Sequence, residues 1–169
     1  MARLSKLPCD RPTSTLHTAR TTTAAVVSVL VARALRMPEP YWATVTTIVV
    51  MQSTLGAAWK VSAARFAGTA LGALSGGLLA TCFGANLWVF AIGIFGTGLL
   101  CTLLHFDRSA YRFAGITLAI VMLVARDRAA WIIALHRFVE VSLGIAVALV
   151  LTAVWQERQP VTASSAAGA

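Results

Sequence analysis

Charge is scarce in this chain. Only 12% of its 169 residues are Asp, Glu, Lys or Arg, while 58% are apolar; a soluble domain carries roughly 25% charged residues. That shortage excludes an ordinary water-facing globule. Acidic residues are scarcer still, six against 14 basic ones, for a net charge of +8. No two carboxylates are placed as an acid–base pair, no nucleophile has a base beside it, and no glycine-rich phosphate loop is present. Enzymatic chemistry therefore has no candidate seat. Cysteine is sparse too: Cys9, Cys82 and Cys101 lack paired spacing, which excludes a disulfide framework or a metal site. Cys82 and Cys101 lie in apolar runs and act as small hydrophobes. The three histidines, His17, His105 and His136, are far apart. No cofactor is implied.

A soluble domain with this positive excess would invite nucleic acid. Here the basic residues close apolar runs, where they orient membrane helices and meet anionic headgroups. The partner they imply is the lipid bilayer, and no nucleic acid.

What the chain does have is a series of long apolar runs with short charged punctuation. That pattern predicts an all-α polytopic bundle of about six transmembrane helices. Residues 1–17 read as a polar cytoplasmic segment, 18–156 as the membrane domain and 157–169 as a disordered tail. The spans are expected at about 21–36, 41–59, 64–82, 86–105, 110–125 and 134–155. The first two are separated by Met37-Pro38-Glu39-Pro40, whose paired prolines make a stiff break. The second opens on the interfacial pair Tyr41-Trp42 and closes on Trp59-Lys60.

Counting Lys and Arg in alternate loops sets the orientation. With the N-terminus inside, the inner side holds Arg3, Lys6, Arg11, Arg20, Lys60, Arg65, Arg108, Arg112 and Arg158. The outer side holds Arg33, Arg36, Arg126, Arg128 and Arg137. Nine against five places both termini in the cytoplasm.

Gly68, Gly72 and Gly76 lie four apart and share one face of the third span. Small residues so placed let another backbone approach, as does Gly144 in the last span. A repeat accompanies them. Arg65-Phe66, Arg112-Phe113 and Arg137-Phe138 each open a span, and Gly72 and Gly144 each stand seven residues after their arginine. Two inverted three-helix halves would make the third and sixth spans equivalent.

Ionisable residues at membrane depth mark candidate function, because placing them there is costly. His136 and Glu140 share a helix face with Arg137 between them, a group suited either to proton coupling or to anchoring the helix end. Arg33, Lys60 and Arg65 offer positive charge to an anion, and Gln52, Ser53 and Thr54 interrupt the second span as a cavity lining would.

At that break the sequence resembles a known family. Pro40-Tyr41-Trp42-Ala43, then Gln52-Ser53-Thr54-Leu55-Gly56-Ala57, then Arg65-Phe66-Ala67-Gly68-Thr69 with Gly72 are similar to the fusaric acid resistance family of aromatic acid exporters, distantly related to plant malate channels. Arg137 to Gly144 resembles the arginine helix that closes that family's six-span block. Two departures stand out. Ser53 replaces a common proline, and many members carry a cytoplasmic domain and a second block, which predicts that this chain works as a homodimer or higher homo-oligomer. The resemblance implies proton-driven export of small organic anions across the bacterial inner membrane. Lys60 and Arg65 would attract the carboxylate, Gln52 and Thr54 line the path with Arg33 nearby, and His136 or Glu140, beside Arg137, carry the proton. An anion channel and a non-transporting membrane subunit are the alternatives.

Overall fold

The computed structural model of this protein describes residues 15–52, 54–124 and 129–155. The expectations for Ser53, Arg126, Arg128 and the 157–169 tail, and most of the 1–17 segment, lie outside those residues. The described residues form α1 (Thr15–Ala34), α2 (Tyr41–Val50), α3 (Leu55–Phe83), α4 (Leu87–Leu103), α5 (Arg108–Ala119) and α6 (Ala130–Val154), with α5 running on into a π turn, Ile120–Val124.

Two of these helices, α3 and α6, are both long and apolar enough to cross a bilayer. At 1.5 Å per residue they measure about 43 and 37 Å, against a hydrocarbon core of roughly 30 Å. The expected second span, 41–59, does not form. α2 stops after ten residues, about 15 Å, and α3 starts well before Trp59 and Lys60. Local chemistry explains the difference. Met51 turns extended, and Thr54 takes an extended conformation and accepts a hydrogen bond from the Ala57 amide at 3.3 Å. That N-cap satisfies one of the free donors of the new helix. The polar break is thus the α2–α3 junction, and Trp59 and Lys60 sit on the exposed side of α3.

Arg20 holds this junction. Its side chain is 1% exposed. One guanidinium nitrogen donates to the carbonyl of Trp155 at 2.9 Å, and another to the carbonyl of Gln52 and to Thr152 Oγ1. A single cation therefore satisfies the carbonyl ends of both α2 and α6, where the helix dipoles favour positive charge. It also places the start of α1 and the end of α6 on one face of the bundle.

Helices pack across the midpoint of the sequence. α1 packs on α2 and α6, α4 packs on α5 and α3, α2 packs on α6, α5 packs on α3, and α3 packs on α6. Exchanging each helix with the one three places along leaves that set unchanged. The equivalence extends to atoms. The α1–α2 turn closes with the amides of Leu35, Arg36 and Met37 bonded to the carbonyls of Val31, Arg33 and Ala32. The α4–α5 turn repeats it, with Leu104, His105 and Phe106 bonded to Leu100, Thr102 and Cys101. Arg36 and His105 carry matching positive φ angles of 52° and 55°, the left-handed conformation of a helix C-terminal turn. The end of α2 at Val50 and the π turn at Val121 also correspond, so both helices leave α geometry at the same place.

Glycine makes the cross-half contacts. Gly68 and Gly72 of α3 press on the backbone of α5, where added Cβ atoms would fall on the carbonyl oxygens of Ala110 and Ala114. Gly144 of α6 presses in the same way on the carbonyl of Ala43 in α2. Gly68 and Gly72 meet Ala110 and Ala114 in order, and Arg137, Gly144 and Thr152 meet Glu39, Ala43 and Met51 in order, so α3 is parallel to α5 and α6 to α2. α3 and α6 are antiparallel, Gly77 meeting Trp131 and Phe66 meeting Phe138. Gly72→Ala is expected to destabilise the purified protein by about 3 kcal/mol, because the obstruction is backbone and cannot rotate away. Gly96→Ala, with nothing within 4 Å of the new methyl, should be neutral or stabilise by up to about 1 kcal/mol through helix propensity. Thermal unfolding in one detergent compares the two.

Candidate functional site

Two arginines stand where the antiparallel helices α3 and α6 cross. Each is followed by a phenylalanine, and the Phe66 and Phe138 rings pack on one another with centroids 5.0 Å apart. Arg65 and Arg137 flank that ring pair, and both are buried, at 6% and 5% exposure. Each lays its guanidinium over an aromatic ring from the other half of the chain. Arg65 covers Phe113 of α5 at 4.6 Å, and Arg137 covers Trp42 of α2 at 4.4 Å. A ring face offers a desolvated cation partial compensation, worth about 2 kcal/mol.

Beyond the rings the two centres differ. Arg137 has carboxylates. Glu39 pairs with one of its terminal nitrogens, and Glu140, 1% exposed, lies 3.3 Å from the other. Trp42 donates its indole N–H to Glu39 at 3.0 Å. Four buried atoms remain without a hydrogen-bond partner: Nε and Nη1 of Arg137 and both oxygens of Glu140. The Glu140 contact is thus an ion pair off hydrogen-bond geometry. Arg65 has no carboxylate partner among the described residues. It donates from Nε and Nη2 to the single hydroxyl of Thr46, at 3.2 and 3.1 Å. Ser62, one turn earlier, is buried with its hydroxyl unpartnered.

A buried guanidinium without a counter-ion is costly, because water that solvated it is gone and nothing of opposite sign replaces it. The arrangement is chemically suited to receiving an anion. By contrast, the groove lined by Leu55, Gly56, Trp59, Leu149, Val150 and Ala153 is apolar, and offers a carboxylate nothing.

The remaining candidates are scattered. Arg33 and Lys60 are exposed, so Arg33 faces outward rather than into the bundle, and neither joins Arg65. Gln52 gives its backbone carbonyl to Arg20 and turns its amide to the Val49 carbonyl, 3.5 Å away, while Thr54 caps α3. His136 is half-buried and forms no ion pair with Glu140 among the described residues. Sequence reasoning overlooked Glu39 as a partner of Arg137, and Arg20, Thr46, Trp42 and Phe113 as site-building residues. The Arg-Phe repeat groups Phe113 with Phe66 and Phe138; the structure instead makes Phe113 the counterpart of Trp42, each the ring beneath one arginine.

The sequence matches the fusaric acid resistance protein-like family over residues 25–151. The chain belongs to this family. Among curated proteins it is 33% identical, over 135 residues, to the "Uncharacterized transporter YdhK" of Escherichia coli K12 and to the protein of the same name from Escherichia coli O157:H7. In each case the match takes in 75% of this chain and 20% of the relative, so the chain spans about a fifth of the length of these relatives. No solved structure matches it. Both relatives are described as transporters. The apolar helices and the family together make this a multi-pass membrane protein.

Proposed function

We propose that the chain is a secondary transporter exporting small organic anions, aromatic carboxylates foremost, from the cytoplasm across the inner membrane and driven by protons. One observation carries this reading: Arg65, buried, laid on Phe113 and bonded to Thr46, with no acid partner among the described residues. A carboxylate supplies the missing charge, and the neighbouring ring suits an aromatic acid. Family membership supports transport. The shared face of the α1 start and α6 end puts both of those helix ends on one side. Setting aside the buried Arg20, Arg65 and Arg137, the loop count becomes seven basic residues against four, which still favours that side as cytoplasmic.

The second centre supports proton coupling. Two carboxylates, Glu39 and Glu140, meet one guanidinium at Arg137. The surplus negative charge is one that a single proton neutralises, and Glu140 holds it away from water.

Proteoliposomes test both parts. The wild type should accumulate a labelled aromatic acid, benzoate in the first instance, under an imposed pH gradient. Glu140→Gln should reduce that driven component to the level of empty liposomes while benzoate exchange persists. A voltage-driven benzoate current that survives Glu140→Gln would identify a channel instead. No benzoate or other aromatic acid movement under any gradient would reject transport by this chain.

A further inference from the structure

The Arg65 and Arg137 centres are the same structure built twice. Arg65 corresponds to Arg137, Phe66 to Phe138, Gly72 to Gly144, Phe113 to Trp42 and Ala114 to Ala43. The paired contacts correspond as well. Guanidinium covers ring in both, glycine meets alanine carbonyl in both, and the two phenylalanines meet each other. The difference between them is the acid. Arg137 has Glu39 and Glu140, and Arg65 has neither.

We propose that the Arg137 centre is a second anion site, the twin of Arg65, kept filled by the chain's own carboxylates in place of a ligand's.

Three features carry this. First, Arg65 shows that the framework buries an arginine on a ring with no acid partner among the described residues, so the acids at Arg137 are not a requirement for folding an arginine there. Three residues after Arg65 stands Gly68, packed on the Ala110 backbone, where Arg137 has Glu140, so on this reading a carboxylate from outside takes the acid's part at Arg65. Second, Glu39 is built as a tethered occupant. It stands between Pro38 and Pro40, whose rings fix φ and stiffen the tether, and the Trp42 indole N–H holds its carboxylate in place. A stiffly tethered group competes at high effective concentration. Phe113, at the equivalent position, has no N–H, so a carboxylate at Arg65 lacks that extra hold and can leave. Third, the Arg137 centre keeps unpartnered buried atoms, Nε and Nη1 of Arg137 and both oxygens of Glu140. Glu140 thus satisfies charge without satisfying hydrogen bonding, as a substitute for a better-fitting carboxylate would.

The proposal rests on reading Arg65 as an anion site, and binding stoichiometry separates the two claims. Equilibrium dialysis with radiolabelled benzoate is performed on the full chain in lipid nanodiscs. The wild type should bind one equivalent, and Glu39→Gln/Glu140→Gln should bind two. Adding Arg137→Gln to that double variant should return it to one equivalent, and so should adding Arg65→Gln. A double variant that stays at one Arg65-dependent equivalent, with elution volume and helical circular dichroism unchanged, overturns the twin site and leaves the Arg65 reading intact. A wild type that binds none, with a double variant binding one equivalent that Arg137→Gln removes, keeps the twin site and overturns the Arg65 reading. If the double variant does not fold, the converse substitution decides. Thr46→Asp gives Arg65 a carboxylate of its own and should weaken benzoate binding at least tenfold more than Thr46→Asn; equal binding by the two rejects the tethered-carboxylate idea.

Discussion

Arg65→Gln should stop benzoate transport and leave the protein as thermally stable as the wild type, or more so. The two halves of that expectation come from one fact. The guanidinium is buried and has no acid partner among the described residues, so it costs the fold a desolvation that Thr46 and the Phe113 ring offset only in part. Its removal deletes that cost together with the contacts to Thr46 and Phe113. For a bound carboxylate the sign is opposite. A charge-assisted hydrogen bond is worth about 1.5–3 kcal/mol, so apparent affinity should fall roughly ten- to hundredfold. Arg65→Lys should restore part of the flux, since an ammonium keeps the charge but not the planar fork. Were Arg65 a structural residue, Arg65→Gln would lower the melting temperature and Arg65→Lys would not rescue transport. Proteoliposome flux and a melting curve, taken on the same preparations, decide it.

Arg137→Gln should do the reverse and damage the fold. It leaves Glu140, 1% exposed and already short of hydrogen bonds, with its charge uncompensated. Breaking a buried pair in this way costs about 3–5 kcal/mol. Glu39, 39% exposed at its side chain and still hydrogen-bonded by Trp42, is solvated where it stands and adds little. Adding Glu140→Gln to Arg137→Gln should therefore recover most of the lost stability. A double variant no more stable than Arg137→Gln alone would mean that the ring contact with Trp42, rather than the ion pair, accounts for the loss. Two arginines with the same sequence context, Arg-Phe ahead of a glycine, are thus expected to give opposite results.

Much of this molecule is readable without coordinates. The scarcity of charge and the segmented apolar runs suffice for a helical membrane protein, because hydropathy reports burial in lipid directly. The motifs from Pro40 to Gly72 carry the family. The helix break between Met51 and Thr54 falls within the polar interruption at Gln52 to Gly56. Its consequence was missed: Trp59 and Lys60 look like the end of a span, and an interfacial Trp-Lys pair is also what the outward side of a long helix can carry.

The sequence by itself determined that Arg65 and Arg137 stand at equivalent places, since their equal spacing to Gly72 and Gly144 is a property of the chain; the helices that carry them start earlier, at Leu55 and Ala130. Only the tertiary structure decided that the two differ in kind. Helical periodicity assigns residues to faces of their own helix and says nothing about which helix lies opposite. Arg65 finds Phe113, and Arg137 finds Trp42 and Glu39, because each half's long helix packs against the other half's hairpin with glycine allowing the backbones to touch, while Thr46 reaches Arg65 from the preceding helix of its own half. That packing brings Glu39 to Arg137, whose other acid, Glu140, lies three residues along its own helix, and brings Arg65 no acid among the described residues.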